Sequence, residues 1–356
     1  MKRYLFFIIC IGLLFTSCGT KSEKEIEEET SSGVVLVQNN SFYEVVLSNG
    51  ESIYFTGFDE DGDVNGLEFD RDSVKTQISY GTGFFVSDDG QIATNAHVVS
   101  NIVADKDVNK SVAHVIDALK QITRALYDET KEELEEIEDL YNYASFSPDV
   151  SYEEFYIVKA QKESVEEKLN NIVEFYNTVD DIRPSDSEIK YHNEVSVAYN
   201  NTHVTDSKDF ISCVVLKTDP DHDLAIIQLK DKKIPEDRYV FTIPDEDPLE
   251  TYSFTENITS KISDDKNSKL LMSSFNLGPT LALTKEGVKS QFNTGSVSQQ
   301  TPDRIMYSIP TLPGSSGSPV INLKEELVAI NYAGLNGTQN FNYGIRVKHL
   351  RNLMEK

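Results

Sequence analysis

Residues 81–100 read GTGFFVSDDGQIATNAHVVS. The turn Asp88-Asp89-Gly90 joins two β-rich runs and delivers His97 just after the second of them, where a β-barrel can hold it. The same texture surrounds this stretch. GVVLVQ, FYEVVL and ESIYFTGF precede it, with Asn49-Gly50 as a hairpin signal between the last two. EVSVAYN, FISCVVLKT, LAIIQL, VKSQFNTGSVSQQ, RIMYSIP, PVIN and ELVAINYAG follow after residue 190. Short strands at regular spacing define a mainly β fold, a barrel or a sandwich.

Residues 102–182 break the pattern. Val108, Val112, Val115, Leu119, Ile122 and Leu126 recur at helical spacing, and Val165, Leu169, Ile172, Tyr176 and Val179 repeat it. Pro148 stops the first helix, and Ser151 with Glu154 forms a capping box for the second. The expectation is an antiparallel helical hairpin inserted into the β domain, with the acidic run DETKEELEEIED at 128–139 as its solvated face. IRVKHLRNLMEK at 345–356 reads as a short amphipathic helix packed on that domain.

The N-terminus speaks to location. Lys2 and Arg3 precede the apolar run YLFFIICIGLLF, which ends in TSC at Cys18. A charged start, a run too short to span a bilayer and small residues after it describe a secretory signal. LLFTSC resembles the lipobox of bacterial lipoproteins, which makes residues 1–17 a signal peptide and Cys18 the lipidation site. Residues 18–32, nearly all polar, read as an acidic tether, and the folded part as anchored to a membrane of a bacterial cell envelope, periplasmic or surface-facing. The net charge is −26, and removing Lys2 and Arg3 takes it to −28, which argues against nucleic acid or an anionic membrane surface as a partner. Of three cysteines, Cys10 lies in the signal and Cys18 at its end, so Cys213 stands alone in the folded part.

PGSSGSPV at 313–320 is either an ordinary turn or the seat of a nucleophile. A serine hydroxyl needs a base. Of the six histidines, His114 falls in the helical repeat and His349 in the last helix, both packing or surface positions, whereas His97 follows a strand. A carboxylate must then orient the imidazole. KTDPDHDLAIIQLK offers Asp219, Asp221 and Asp223, of which Asp223 directly precedes an apolar strand.

Together GTGFFVSDDGQIATNAHVVS, TDPDHDLAIIQL and PGSSGSPVIN resemble the trypsin-like serine peptidases, in particular the HtrA/Deg branch, and ELVAINYAGLNGTQNFNYGIRV is similar to that fold's closing strands. The resemblance covers about residues 33–101 and 190–356 and implies a protease domain made of residues 33–101 and 183–356. It implies a double β-barrel with the active site between the barrels. It also implies His97 as general base, Asp223 as its orienter, Ser316 as nucleophile, the N–H groups of Gly314 and Ser316 as oxyanion hole, and Pro310, Asn331, Tyr332 and Ala333 around the substrate side chain. With no acidic residue among these, a small or medium apolar side chain is expected before the cut. The branch implies protein quality control, polypeptide substrates and no cofactor.

The sequence departs from the family pattern in several places. Ser315 replaces the Asp of the digestive relatives, so activation by pairing with a new N-terminus is not expected. Ser318 replaces the more usual Gly, as in relatives similar to glutamyl endopeptidases. No PDZ domain follows, and the helical hairpin separates His97 from Asp223 by 126 residues. DGDVNGLEFDRD at 61–72 has oxygen ligands at calcium-loop positions, but Glu68 stands where an apolar residue belongs and strands flank it. It reads as an acidic hairpin turn, and no metal is expected. The alternative to an extracytoplasmic serine endopeptidase is a non-catalytic scaffold, its barrel persisting and its hairpin binding a protein partner or a second copy.

Overall fold

The β-rich run after the acidic segment becomes a long strand, β1 (Val34–Val46). The computed structural model describes residues 21–47, 50–58, 64–100, 108–181, 183, 186–204, 209–249, 269–334 and 342–356. β2 (Ser52–Phe55), β3 (Gln77–Phe85), β4 (Gln91–Thr94), β5 (Glu188–Tyr199), β6 (Ile211–Asp219) and β7 (Leu224–Leu229) pair in the order β2-β1-β3-β4-β7-β6-β5. β5 returns to β1 over Val35↔Tyr199 to Val46↔Glu188, so β1, β3, β4, β7, β6 and β5 close a ring, with β2 outside it. A second closed barrel has the order β8 (Lys269–Ser274), β9 (Gln291–Gln300), β10 (Arg304–Tyr307), β13 (Asn342–Arg346), β12 (Leu327–Gly334), β11 (Pro319–Asn322).

The strand LAIIQL shows why its apolar run lacks polar alternation. Every residue of β7 is buried. Ala225, Ile227 and Leu229 fill the first barrel with Val35, Val37 and Ile92. Leu224 and Ile226, on the opposite face by the two-residue strand period, meet Leu271 and Ile321 of the second barrel and Leu350 and Leu353 of the C-terminal helix. The second barrel has its own interior of Leu270, Met272, Tyr307, Val320 and Val328. Both barrels and the seam between them are therefore apolar cores. Cys213 contributes to the first as a free, buried thiol, pushed up to about 12 by desolvation.

The segment read as a tether is ordered where it is described. Residues 23–30 form α1 (Glu23–Thr30), opened by a capping box in which Ser22 accepts from the Glu25 N–H and the Glu25 carboxylate accepts from the Ser22 N–H. Ile26, its one large apolar residue, is fully buried among Val34, Phe241 and Leu271. Lys21 pairs with Glu325, and Glu23 with Lys269. A single isoleucine at the right helical position finds a socket between the start of β1, Phe241 and the second barrel, and this docking overrides the solvated state that composition suggests. Residues 1–20, which include the segment expected to be a signal and Cys18, lie outside the described residues.

The expected helical hairpin is present as α3 (Val108–Phe146) and α4 (Tyr152–Asp180), with Ser151 and Glu154 making the expected capping box. Its near end packs Val115, Ile116, Leu119 and Val179 on Val45, Leu47, Ile53 and Phe55. Farther out, Lys168–Glu133 and Lys162–Glu138 pairs cross between the helices. At the tip, Phe146 and Tyr152 are 87% and 84% exposed. The chain closes with α5 (Val347–Glu355), which buries Val347, Leu350 and Leu353 against the seam as expected of an amphipathic helix.

Candidate active site

His97 stands in α2 (Ala96–Val99), a single turn that begins one residue after β4. Asp223 ends the turn between β6 and β7 with φ of +51°, a left-handed conformation that Asp tolerates better than most residues. Its carbonyl accepts from Asn95 Nδ2 at 2.9 Å and from the Ala96 N–H at 3.2 Å. Its carboxylate accepts twice from His97, at Oδ1 from the backbone N–H (2.8 Å) and at Oδ2 from Nδ1 (2.6 Å). Asp223 is buried and the imidazole is partly exposed. Because a carboxylate only accepts, Nδ1 carries the proton and Nε2 turns its lone pair to the open side.

The loop at residues 312–318 is tied down from both barrels. Thr82, on β3, donates its hydroxyl to the Gly314 carbonyl (2.8 Å) and accepts from the Phe275 N–H (3.0 Å), while its own N–H reaches the Ser316 carbonyl (2.8 Å). The Leu277 N–H donates to the Pro313 carbonyl at 2.6 Å. Gly314 has φ of +96°, and a Cβ there would lie 2.5 Å from the Phe275 carbonyl oxygen. Gly317, with φ of +87°, sits so close to β3 and Asn95 that a Cβ would lie 2.1 Å from the Thr82 oxygen and 3.1 Å from the Asn95 nitrogen. Only glycine fits either place. The loop is thereby pressed against the strand end that carries His97.

The loop's donors divide sharply. The N–H groups of Ser315, Gly317 and Ser318 bond to the carbonyls of Leu312, Asn331 and Ser315. Those of Gly314 and Ser316 have no partner among the described residues. The Ser315 and Ser318 hydroxyls are spent on the Leu312 and Ser315 carbonyls, at 2.7 and 2.6 Å, as loop geometry. The Ser316 hydroxyl donates to the Tyr332 carbonyl at 3.3 Å. Among the described residues no hydrogen bond joins it to His97.

The expected pocket residues separate. Tyr332 faces the site, its ring edge-on to His97 at 6.3 Å with the Arg304 guanidinium 5.3 Å from its centroid. Pro310 is exposed, and Ala333 follows Tyr332 on β12. Asn331 is buried beneath the loop. Its buried amide donates to the Ser315 carbonyl (2.8 Å) and accepts from the Tyr307 hydroxyl (2.6 Å), bracing the loop from beneath. Burial raises the Tyr307 phenol far above its usual range, so it remains a donor. Thr82, Tyr307 and Asn276, whose Oδ1 accepts from the Leu312 N–H at 2.9 Å, escaped sequence reading. Their only signal was polarity within or just beyond apolar strand texture. In the acidic segment at 61–72, residues 61–63 lie outside the described residues, and Asp70 is engaged with the Asp72 N–H and the Ser73 hydroxyl.

Residues 182–330 match the family model of the trypsin-like peptidase domain. The match includes Asp223 and Ser316 and leaves His97 on the far side of the hairpin. Two β-barrels with a helical hairpin inserted in the first make the fold a trypsin-like double barrel. No curated protein sequence matches the chain. Among solved structures, the chain is similar to a serine endoprotease from Yersinia pestis at 12% identity and a TM-score of 0.42, over 94% of this chain and 66% of that one. The chain thus spans just under two thirds of that structure's length.

Proposed function

We propose that the protein is a serine endopeptidase of the HtrA/Deg type that cleaves polypeptides through an acyl-enzyme. The observation that carries this reading is the pair of unpartnered N–H groups at Gly314 and Ser316, in a loop whose other donors are all bonded, beside an imidazole braced by Asp223. Ser316 Oγ attacks the peptide carbonyl carbon and its proton passes to His97 Nε2. The oxygen that gains charge is received by the two N–H groups, and removing one such donor typically costs about 10²- to 10³-fold in turnover. The tetrahedral species then expels the amine, which takes the proton from His97. Water, deprotonated by the same nitrogen, releases the acyl group. To begin, Ser316 exchanges the Tyr332 carbonyl for His97, a rotation about its Cα–Cβ bond that arriving substrate favours by occupying the β12 edge.

The substrate side chain meets Tyr332 and the segment around Pro310, which suits a small or medium apolar group. Lipid attachment at Cys18 would hold the enzyme in a bacterial cell envelope, and the exposed hairpin tip would serve contact with a protein partner or a second copy. The test is cleavage of casein by the full chain. Cleavage by the wild type and none by Ser316→Ala is the expected result, whereas equal cleavage by both removes the reading. No cleavage by either, with partner binding lost on deletion of residues 104–180, would favour the scaffold.

A further inference from the structure

Behind the Asp223 turn, three segments distant in sequence bring nitrogen and oxygen ligands together. His222 comes from the turn between β6 and β7, Asp303 from the turn between β9 and β10, and His349 from the first turn of α5. One ligand atom from each lies within 4.8 Å of the others. The imidazoles of His222 and His349 stack at 3.8 Å, 21° from parallel, and His349 Nε2 donates to Asp303 Oδ1 at 3.1 Å. Asp219 accepts from both the His222 N–H (3.3 Å) and Nδ1 (2.9 Å), so the free ring nitrogen of His222 is Nε2. The Asp303 carbonyl is held by the Arg346 N–H at 3.0 Å.

The geometry points to a binding site for a divalent transition-metal ion of the zinc class, with His222 Nε2, His349 Nε2 and an Asp303 carboxylate oxygen as ligands. Two imidazoles and one carboxylate favour zinc, cobalt or nickel over calcium or magnesium, which prefer oxygen alone. Ligands bonded at about 2.0 Å in a tetrahedron stand about 3.3 Å apart, close to the spacing of His349 Nε2 and Asp303 Oδ1. An ion there replaces the hydrogen between those two atoms and leaves the His349 ring proton on Nδ1. In the stack the two in-plane lone pairs run side by side, so the partly exposed His222 ring would have to tilt about its Cβ–Cγ bond to bring Nε2 to the ion. Asp219 then acts as the carboxylate behind a metal-bound imidazole that fixes tautomer and orientation. Asp303 is 61% exposed at its side chain, which leaves the fourth position to water.

The consequence is mechanical. The ion would pin a turn of the first barrel to a turn of the second and to the C-terminal helix. His222 precedes Asp223, so the pin holds the strained turn whose carboxylate braces His97. The site stands on its own ligands and does not depend on the peptidase reading.

The test uses the full chain, stripped by chelator and titrated with Co²⁺ alone and then Zn²⁺. The expected result is one equivalent of Co²⁺ with visible d–d bands of a four-coordinate ion, displaced by Zn²⁺, and a higher melting temperature with Zn²⁺. His222→Ala and Asp303→Asn, both at partly exposed side chains, should each bind at least about tenfold more weakly. Circular dichroism of the metal-free variants checks that they fold, and His97→Ala should bind as the wild type does. Absence of stoichiometric binding to the wild type, or unchanged affinity in folded His222→Ala and Asp303→Asn, would overturn the site.

Discussion

Asp223 gives both carboxylate oxygens to one residue, the Nδ1 and the backbone N–H of His97. This double contact fixes the ring's position and its tautomer at once. Asn at 223 can keep only one acceptor, and its amide nitrogen facing Nδ1 imposes the wrong tautomer. Asp223→Asn is expected to lower kcat by about 10⁴-fold with little change in KM, measured on a peptide substrate with folding checked by circular dichroism. A loss under about tenfold would separate Asp223 from the chemistry. The pairing of His97 with Asp223 and the glycine turn around Ser316 were legible in the sequence because each stands beside a recognisable apolar strand or glycine run. Thr82, Asn276 and Tyr307 were not, because their partners are remote in sequence: Thr82 meets Gly314, and Tyr307 meets Asn331. For Asn331 the sequence shows a strand position but not the hydrogen bonds to Ser315 and Tyr307 that hold its amide beneath the loop.

At the scale of elements, α1 shows where composition misleads. Ser22 and Glu25 repeat the Ser-x-x-Glu pattern that correctly marked the start of α4 at Ser151 and Glu154. The signal for a helix was therefore present, but one apolar residue in eight sets no visible stripe. What decides its docking is the socket around Ile26 formed by Phe241 and Leu271, which no local pattern contains. Ile26→Ala is expected to cost about 2–5 kcal/mol of stability, read from denaturant unfolding. A loss below ~0.5 kcal/mol, within the range of surface substitutions, would mean that α1 contributes no packing. The hairpin was readable because both of its helices carry long apolar repeats and its turn carries both a proline and a cap.

At the scale of the molecule, two closed barrels share an apolar seam. The first barrel supplies His97 and Asp223, and the second supplies the Ser316 loop, with Thr82 tying one to the other. The double barrel was legible from strand texture and motif order together. The closure of each ring was not, since it rests on pairings such as that of β1 with β5, across the whole inserted hairpin. The family match starts at residue 182, after the inserted hairpin, and does not include His97. The most direct measurement on the central claim is the intact mass of the full chain after reaction with a fluorophosphonate, which bonds a nucleophilic serine oxygen to phosphorus and releases fluoride. One adduct, mapped to Ser316 and absent from both Ser316→Ala and His97→Ala, is the expected result. No adduct on the wild type, or an adduct that persists in Ser316→Ala, would contradict it.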